Sequence, residues 1–402
     1  MRALFVTPSE VSSGEAVTAL RMADEICRAG GEVRFLASRF TARLAPAIES
    51  LEILGPDPSE NVRTWDRVAR EFRPETVVFA DYPLLFFANG VAPLVSEDWL
   101  SRLDGTGPAL VTLDHLGYAQ GPKTLFFGPS HLSFHAATFP ALPEPMRVLL
   151  PCPSHDPGED RSRTGIPFRY WDPPADRAPR GRDGGLLVLH ATPQWAWRMA
   201  ERFGLPYYRF LPSLLEHYLG ELPVPVTVVS VNNGTLLPPV ENPRIRVVNL
   251  GPLPAGEYER LLLGCDLLLS ENGVSVSIGK AVCAGVPCVL LRNSFGLTEL
   301  LEQAEPVVRR IVLDMEAARL GAVFPYEVFP LWRREEVPLA GPVPGCTPIE
   351  VFGGEPSRHL LHRLLLDDAF RTAARTVQQA YADRVAALPG PQAALQEAVA
   401  RS

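Results

Sequence analysis

Residues 266–291, DLLLSENGVSVSIGKAVCAGVPCVLL, constrain the fold more than any other stretch of the chain. An all-apolar run (Leu267, Leu268, Leu269) ends in a small-polar loop. A short helical segment follows, stopped by Gly285 and Pro287, and a second apolar run starts at Cys288. Strands without polar alternation are buried on both faces, which is the habit of parallel sheets. A helix joining two such strands makes a βαβ unit and delivers the intervening loop to the carboxyl edge of the sheet, where open α/β sheets bind ligands. The helix behind the loop points backbone N–H groups at whatever sits there, which suits a phosphate. An ordinary βα connection has the same anatomy, and spacing alone does not separate the two readings.

The rest of the chain repeats this alternation. Residues 3–6 read as a strand, SEVSSG as a loop with Ser12, Ser13 and Gly14 at its turn, and residues 15–29 as a helix carrying Ala16, Ala19, Leu20, Ala23, Ile26 and Cys27 at helical spacing. A strand over 32–36, a helix over 61–72, a strand over 76–79 ending at Asp81 and Tyr82, and a strand over 109–113 ending at Asp114 and His115 follow. Residues 151–185 are rich in Pro, Gly, Asp and Arg and read as an extended linker. Alternation resumes with strands over 186–190, 226–231 and 245–250 and helices over 196–203, 211–219 and 255–265. Beyond the opening segment come a helix over 297–304 and a strand over 309–313. Residues 321–354 break the pattern with prolines, glycines and aromatics and are expected to be a structureless insert, either a lid or interface loop or a surface excursion. Three helices, over 358–365, 369–387 and 391–400, close the chain.

At 402 residues the chain is too long for one ordinary core and suits two domains. The expected boundaries are 1–150, a linker at 151–185, 186–370, and terminal helices from 371 to 402. A formal net charge of -8 argues against a nucleic-acid partner held through phosphates. The N-terminus lacks the apolar core of a secretory signal, and no run reaches the length of a membrane span. Six cysteines are scattered with no Cys-x-x-Cys pair, so buried thiols in a reducing cytoplasm are expected. His131 and His135 have helical i, i+4 spacing but no evident third ligand, and no metal site is expected. Trp195 and Trp197 suit either core packing or stacking on a base or sugar.

Residues 245–291 resemble the carboxyl domain of the GT-B glycosyltransferases: a strand, a Gly-Pro-x-Pro turn, a helix ending in Cys-Asp, a strand, a small-polar loop, and a helix ending in Ala-Gly-Val-Pro. The resemblance implies an α/β fold of two Rossmann-like domains facing across a cleft, with the C-terminal helix returning to the N-terminal domain. It implies a donor held by the carboxyl domain and an acceptor held by the amino domain. By motif position Asn272, Gly273, Ser275 and Ser277 line the diphosphate loop, with Thr192 and Gln194 opposite. Gly251 and Leu253 meet the base through the backbone, and Asn293 and Ser294 meet the sugar. The acceptor side is expected to include Ser13, Asp81 and Tyr82. Two departures stand out: the family's loop histidine falls on Asn272, and Lys280 occupies a position where relatives carry glutamate. Lys280 is read either as a cation for phosphate or as a solvated lysine. Glu271 would be repelled by a diphosphate and is expected to face ribose, sugar or solvent.

An inverting transfer needs a base on the amino domain. The first βα loop has no histidine, so Glu15 and His115 are the candidates, with Glu10 and Asp81 behind them. Glu15 also suits the helix dipole and His115 a structural role. The expected protein is a cytoplasmic, metal-independent glycosyltransferase of EC 2.4 type that needs no cofactor. It would use a UDP- or dTDP-linked sugar and a small-molecule, secondary-metabolite acceptor, with no nucleic-acid partner and no integral membrane association. A sugar-nucleotide epimerase or hydrolase, or a non-catalytic nucleotide-binding homologue, are the competing readings.

Overall fold

The computed structural model describes the chain except residues 9–13, 45–49, 81, 83–106, 116–123, 127–135, 139–141, 145, 155–164, 175–184, 193–195, 198–199, 202–203, 232–236, 274, 316–323, 325–342 and 402. It divides into two compact units. One comprises Met1–Thr124, Ala137–Asp172 and Asp383–Ser402, the other Leu125–Ala136 and Pro173–Ala382.

The first unit holds β1 (Arg2–Thr7), α1 (Gly14–Arg28), β2 (Glu32–Ala37), α2 (Arg39–Leu44), β3 (Leu51–Ile53), α3 (Pro58–Phe72), β4 (Thr76–Phe79) and β5 (Ala109–Leu113). Short strands β6 (Thr124–Phe126) and β7 (Ala136–Thr138) pair with each other, and β8 (Arg147–Cys152) and β9 (Ile166–Arg169) complete the unit's main sheet. That sheet has the order β3-β2-β1-β4-β5-β8-β9, and every pairing is parallel. Its central strands β1 and β4 are mostly apolar and almost wholly buried, so both faces must be covered. Asp57 starts α3 by accepting the Ser59 N–H at 2.8 Å, with Pro58 at the first helical position.

The second unit holds β10 (Leu186–Ala191), α4 (Tyr207–Leu219), β11 (Val226–Val231), β12 (Ile245–Leu250), α5 (Ala255–Gly264), β13 (Leu267–Ser270), α6 (Val276–Cys283), β14 (Cys288–Arg292), α7 (Leu297–Gln303), α8 (Pro306–Asp314), β15 (Thr347–Glu350), α9 (Glu355–Leu366) and most of α10 (Asp368–Ala386). Its sheet, β12-β11-β10-β13-β14-β15, is also parallel in every pairing, with His190 in register with Ser230 on one side and Leu269 on the other. This is the doubly wound Rossmann order. Gly285, at φ 60°, lets α6 end sharply, its N–H and that of Val286 returning to Val282 and Ala281 carbonyls before β14 begins.

The closing helix α11 (Pro391–Ala400) belongs to the first unit, where it packs on α1, β5, β8 and β9 through Pro391, Ala394, Leu395 and Ala398.

Three expectations change. Residues 309–313 are helical, inside α8, because Val308, Ile311 and Val312 are the buried set and their spacing is that of one helix face. The proline-rich stretch is not a linker throughout: β9 takes residues 166–169 as an edge strand, and the first unit runs to Asp172. Likewise residues 347–350 of the supposed insert form β15, an edge strand that tolerates Pro348. Much of the remaining insert lies outside the described residues.

Candidate functional site

In the second unit the strand order reverses between β10 and β13, so the connections leaving their carboxyl ends part in opposite directions and open a crevice. Thr192 follows β10; residues 271–275 follow β13 and lead into α6. The Ser275 side chain caps α6 by accepting the Ser277 N–H at 3.2 Å, and the Asn272 carbonyl accepts the Ser275 N–H at 3.0 Å, closing the loop as a turn. The Tyr258 phenol, on α5, donates to Ser277 Oγ at 2.9 Å. Burial pushes that phenol up to about 12, which keeps it protonated as a donor. Ser277 therefore has its acceptor site occupied and its own hydrogen left to donate elsewhere.

The residues named for the donor follow successive strands of the second sheet. Gly251 and Leu253 follow β12, three strands from β13, roughly 14 Å away at ordinary strand spacing. Asn272, Gly273, Ser275 and Ser277 lie at the reversal, beside Thr192, whose hydroxyl is 3.3 Å from the Tyr208 phenol. Asn293 and Ser294 follow β14, one strand further. Asn293 is buried and hydrogen-bonds the Phe295 backbone twice, while the Ser294 N–H and the Arg292 side chain are both taken by the Glu350 carboxylate. Lys280 is not the solvated lysine of one of its expected readings. It is buried, with Nζ 3.7 Å from Glu259 Oε1, because its face of α6 packs on α5. Gln194 lies outside the described residues.

Glu271 is the larger correction. Its side chain is fully buried and does not face solvent. Oε1 accepts from His190 Nε2 at 2.9 Å and from the Tyr207 phenol at 3.4 Å, while His190 Nδ1 is 3.0 Å from Ser230 Oγ. Burial, then the neighbouring Glu271 charge, holds the Tyr207 phenol well above its ordinary range. Among the described residues Glu271 Oε2 has no hydrogen-bond partner. The sequence carried a signal for this cluster: His190 and Ser230 interrupt otherwise apolar buried strands, and buried polar groups require partners.

On the first unit's sheet edge, His115 follows β5 and its Nε2 is 3.0 Å from Thr18 Oγ1. Thr18 sends its one hydrogen to the Gly14 carbonyl at 3.0 Å, so Nε2 must be the donor, and His115 could take a proton only at Nδ1. Glu15 stands one turn before Thr18 on the same helix face. All three are buried, which places the two candidate bases in one cluster rather than on an open surface. Tyr82 is a core residue: its ring packs edge-on to Phe79 and its N–H donates to Thr112 Oγ1 at 2.9 Å. Ser13, Asp81, Glu10, His131, His135 and Trp195 lie outside the described residues. Trp197 packs in the core, stacked on Tyr208 at 3.6 Å. No three metal-ligating side chains cluster among the described residues.

Residues 22–402 match the Family of unknown function (DUF6365). The chain is a DUF6365 protein. No curated protein matches it. Solved structures similar to the DUF6365 chain include the glycosyltransferase SnogD from Streptomyces nogalater, 16% identical over 100% of this chain and 99% of that one, TM-score 0.52. The spinosyn forosaminyltransferase SpnP is 17% identical over 100% and 99%, TM-score 0.54. The glycosyltransferase VinC, solved in complex with DTDP, is 14% identical over 100% of both chains, TM-score 0.50. The fold is that of the GT-B glycosyltransferases, with two Rossmann-like units. Among the described residues no helix is long and apolar enough to cross a membrane.

Proposed function

We propose that this DUF6365 protein transfers a sugar from a nucleoside-diphosphate sugar to a small-molecule acceptor, with the donor on the second unit and the acceptor on the first. The observation that carries the reading is the βα loop at the strand-order reversal of a GT-B fold. It combines a capped helix N-terminus with the Ser277 hydroxyl, oriented by Tyr258 to donate. As the glycosidic bond to phosphate breaks, negative charge grows on the departing diphosphate, and fixed N–H and O–H donors stabilise that charge without having to reorganise. These donors support a metal-independent reaction that needs no cofactor. VinC's complex with DTDP supports a thymidine diphosphate sugar over a uridine one. The activity is of EC 2.4 type and the acceptor a small secondary metabolite, a reading supported by the likeness to a spinosyn forosaminyltransferase. A cytoplasmic setting follows from this chemistry, since activated sugars are made there.

Glu15 and His115 remain the candidate bases. The commitment of His115 Nε2 to Thr18 favours Glu15, and it also keeps alive a second reading, a protein that binds or hydrolyses the nucleotide sugar without an acceptor. A thermal-shift panel of nucleoside diphosphates, followed by donor turnover with and without aglycones, tests the proposal. Stabilisation by thymidine diphosphate and turnover that depends on acceptor and survives chelator are expected. Turnover without acceptor identifies the hydrolase, and a chain that binds no nucleoside diphosphate defeats both. Ser277→Ala should weaken diphosphate binding by about tenfold, the worth of one charge-assisted hydrogen bond.

A further inference from the structure

We propose that His190, Glu271 and Ser230 form a buried lock that sets the diphosphate loop against the carboxyl end of β10, making them positioning residues for the donor phosphates. The inference rests on the donor-site reading above. Backbone ladders already fix β10 to β11 as far as Ala191 and Val231, and β10 to β13 as far as His190 and Leu269. What the ladders do not fix is the chain beyond them, and Glu271 is the first residue after β13. Its carboxylate reaches back over the sheet to His190 Nε2 at 2.9 Å, and His190 in turn reaches Ser230 at 3.0 Å. Three strand ends are thus tied side chain to side chain at the point where two loops depart.

The chemistry of the cluster argues against a purely stabilising role. His190 and Glu271 are both wholly buried, beside Tyr207, Tyr208 and Trp197. Glu271 uses one oxygen twice, and Oε2 has no partner among the described residues. An incompletely satisfied buried network is a poor stabiliser beside an apolar trio of the same volume, and the best-supported benefit of keeping one is a fixed register. The lock also answers an electrostatic difficulty. A carboxylate adjoining a diphosphate loop would repel the ligand, but both donors to Glu271 lie on the buried side and hold the charge there. Asn272 then begins the loop with its N–H on Ser270 Oγ at 3.2 Å, so the loop leaves the anchored residue in a defined direction.

The test compares thymidine diphosphate with thymidine, which shares the base and deoxyribose but has no phosphate to position. Titration calorimetry on the full chain should show Glu271→Ala weakening thymidine diphosphate by about tenfold while thymidine shifts less than about twofold. His190→Ala should match it, and the double variant should lose no more than either single one, as expected for a single shared interaction. Glu271→Gln, which keeps an acceptor for His190, should stay within about threefold of the parent. Equal losses of thymidine and its diphosphate, or a Glu271→Gln variant as weak as Glu271→Ala, overturn the lock. Should the alanine variants fail to fold, Ser230→Ala decides: selective loss of the diphosphate supports the lock and unchanged affinity overturns it. A parent chain that binds no nucleoside diphosphate defeats the donor-site reading and the lock together. Variants that bind like the parent defeat the lock alone.

Discussion

At the scale of single residues, position relative to an element's end decides what a charge does. Asp367 sits between α9 and α10, where Oδ1 accepts the Phe370 N–H at 2.9 Å and Oδ2 meets Arg363 at 3.3 Å. The Phe370 hydrogen bond, followed by Arg363, holds this carboxyl below its ordinary value of 3.8. A depressed carboxylate favours the folded state above the unfolded value and loses that contribution as pH falls through the folded one. Asp367→Ala should therefore melt at a lower temperature than the parent at neutral pH, and the gap should close as the pH is taken below 3.8. Asp367→Asn, which keeps an acceptor for the Phe370 N–H without the charge, should melt between the parent and Asp367→Ala at neutral pH. Melts followed by circular dichroism across that range check both, and a gap independent of pH would refute the contribution of the charge. Lys280 makes the complementary point. Paired with Glu259 inside the α5–α6 contact, it is a poor probe of phosphate binding, since removing either partner strands a buried charge.

Elements are held to their sheet by a few polar contacts set among many apolar ones. Gln378, buried on α10, donates from Nε2 to the Val286 carbonyl at 2.9 Å and to the Gly345 carbonyl at 3.3 Å, joining the helix to the starts of β14 and β15. Gly345, at φ 89°, has no room for a Cβ against Gln378. Gln378→Ala takes the amide donor from the Val286 carbonyl and leaves the Gly345 carbonyl with the weak Cys288 S–H alone, and should cost about 1–3 kcal/mol in chemical denaturation; a loss within error would show that water replaces the amide. Sequence reading reached the elements unevenly, for reasons visible here. The mostly apolar strands β10, β11 and β13 could be read because burial on both faces leaves little polar alternation. The edge strands β9 and β15 were missed because each has only four residues, one a proline. In α8, the string VVRRIVL fits a strand as well as a helix, and only Pro306 at its start favours the helix. The donor loop was local and therefore readable, whereas the His190–Glu271 pair spans 81 residues and no spacing rule reports such a contact.

For the molecule as a whole, the last helix is where sequence order and spatial order part. The chain leaves the first unit at Asp172 and re-enters it at Asp383, inside α10, so α11 completes a sheet whose strands were all laid down before residue 170. Its attachment is specific. The Gln392 N–H bonds the Glu25 carboxylate of α1, Gly390 leaves room for that carboxylate, and Arg169 of β9 donates to the Ala386 carbonyl at 2.7 Å. Burial raises the Glu25 carboxyl above its ordinary value, while the Gln392 N–H and Arg169 act the other way by favouring its charged form. The apolar side of α11 buries Leu395 with three smaller side chains, worth roughly 3–5 kcal/mol by area. A chain cut after residue 388 should then lose that stability from the first unit only. Hydrogen exchange should rise in α1, β8 and β9, which α11 covers, and remain at parent level in β10, β11 and β13. Thymidine diphosphate, if held by the second unit, should bind the shortened chain within about threefold of the full one. Exchange that rises equally in both sheets would mean that α11 stabilises the second unit as well, and the division of labour between units would have to be redrawn.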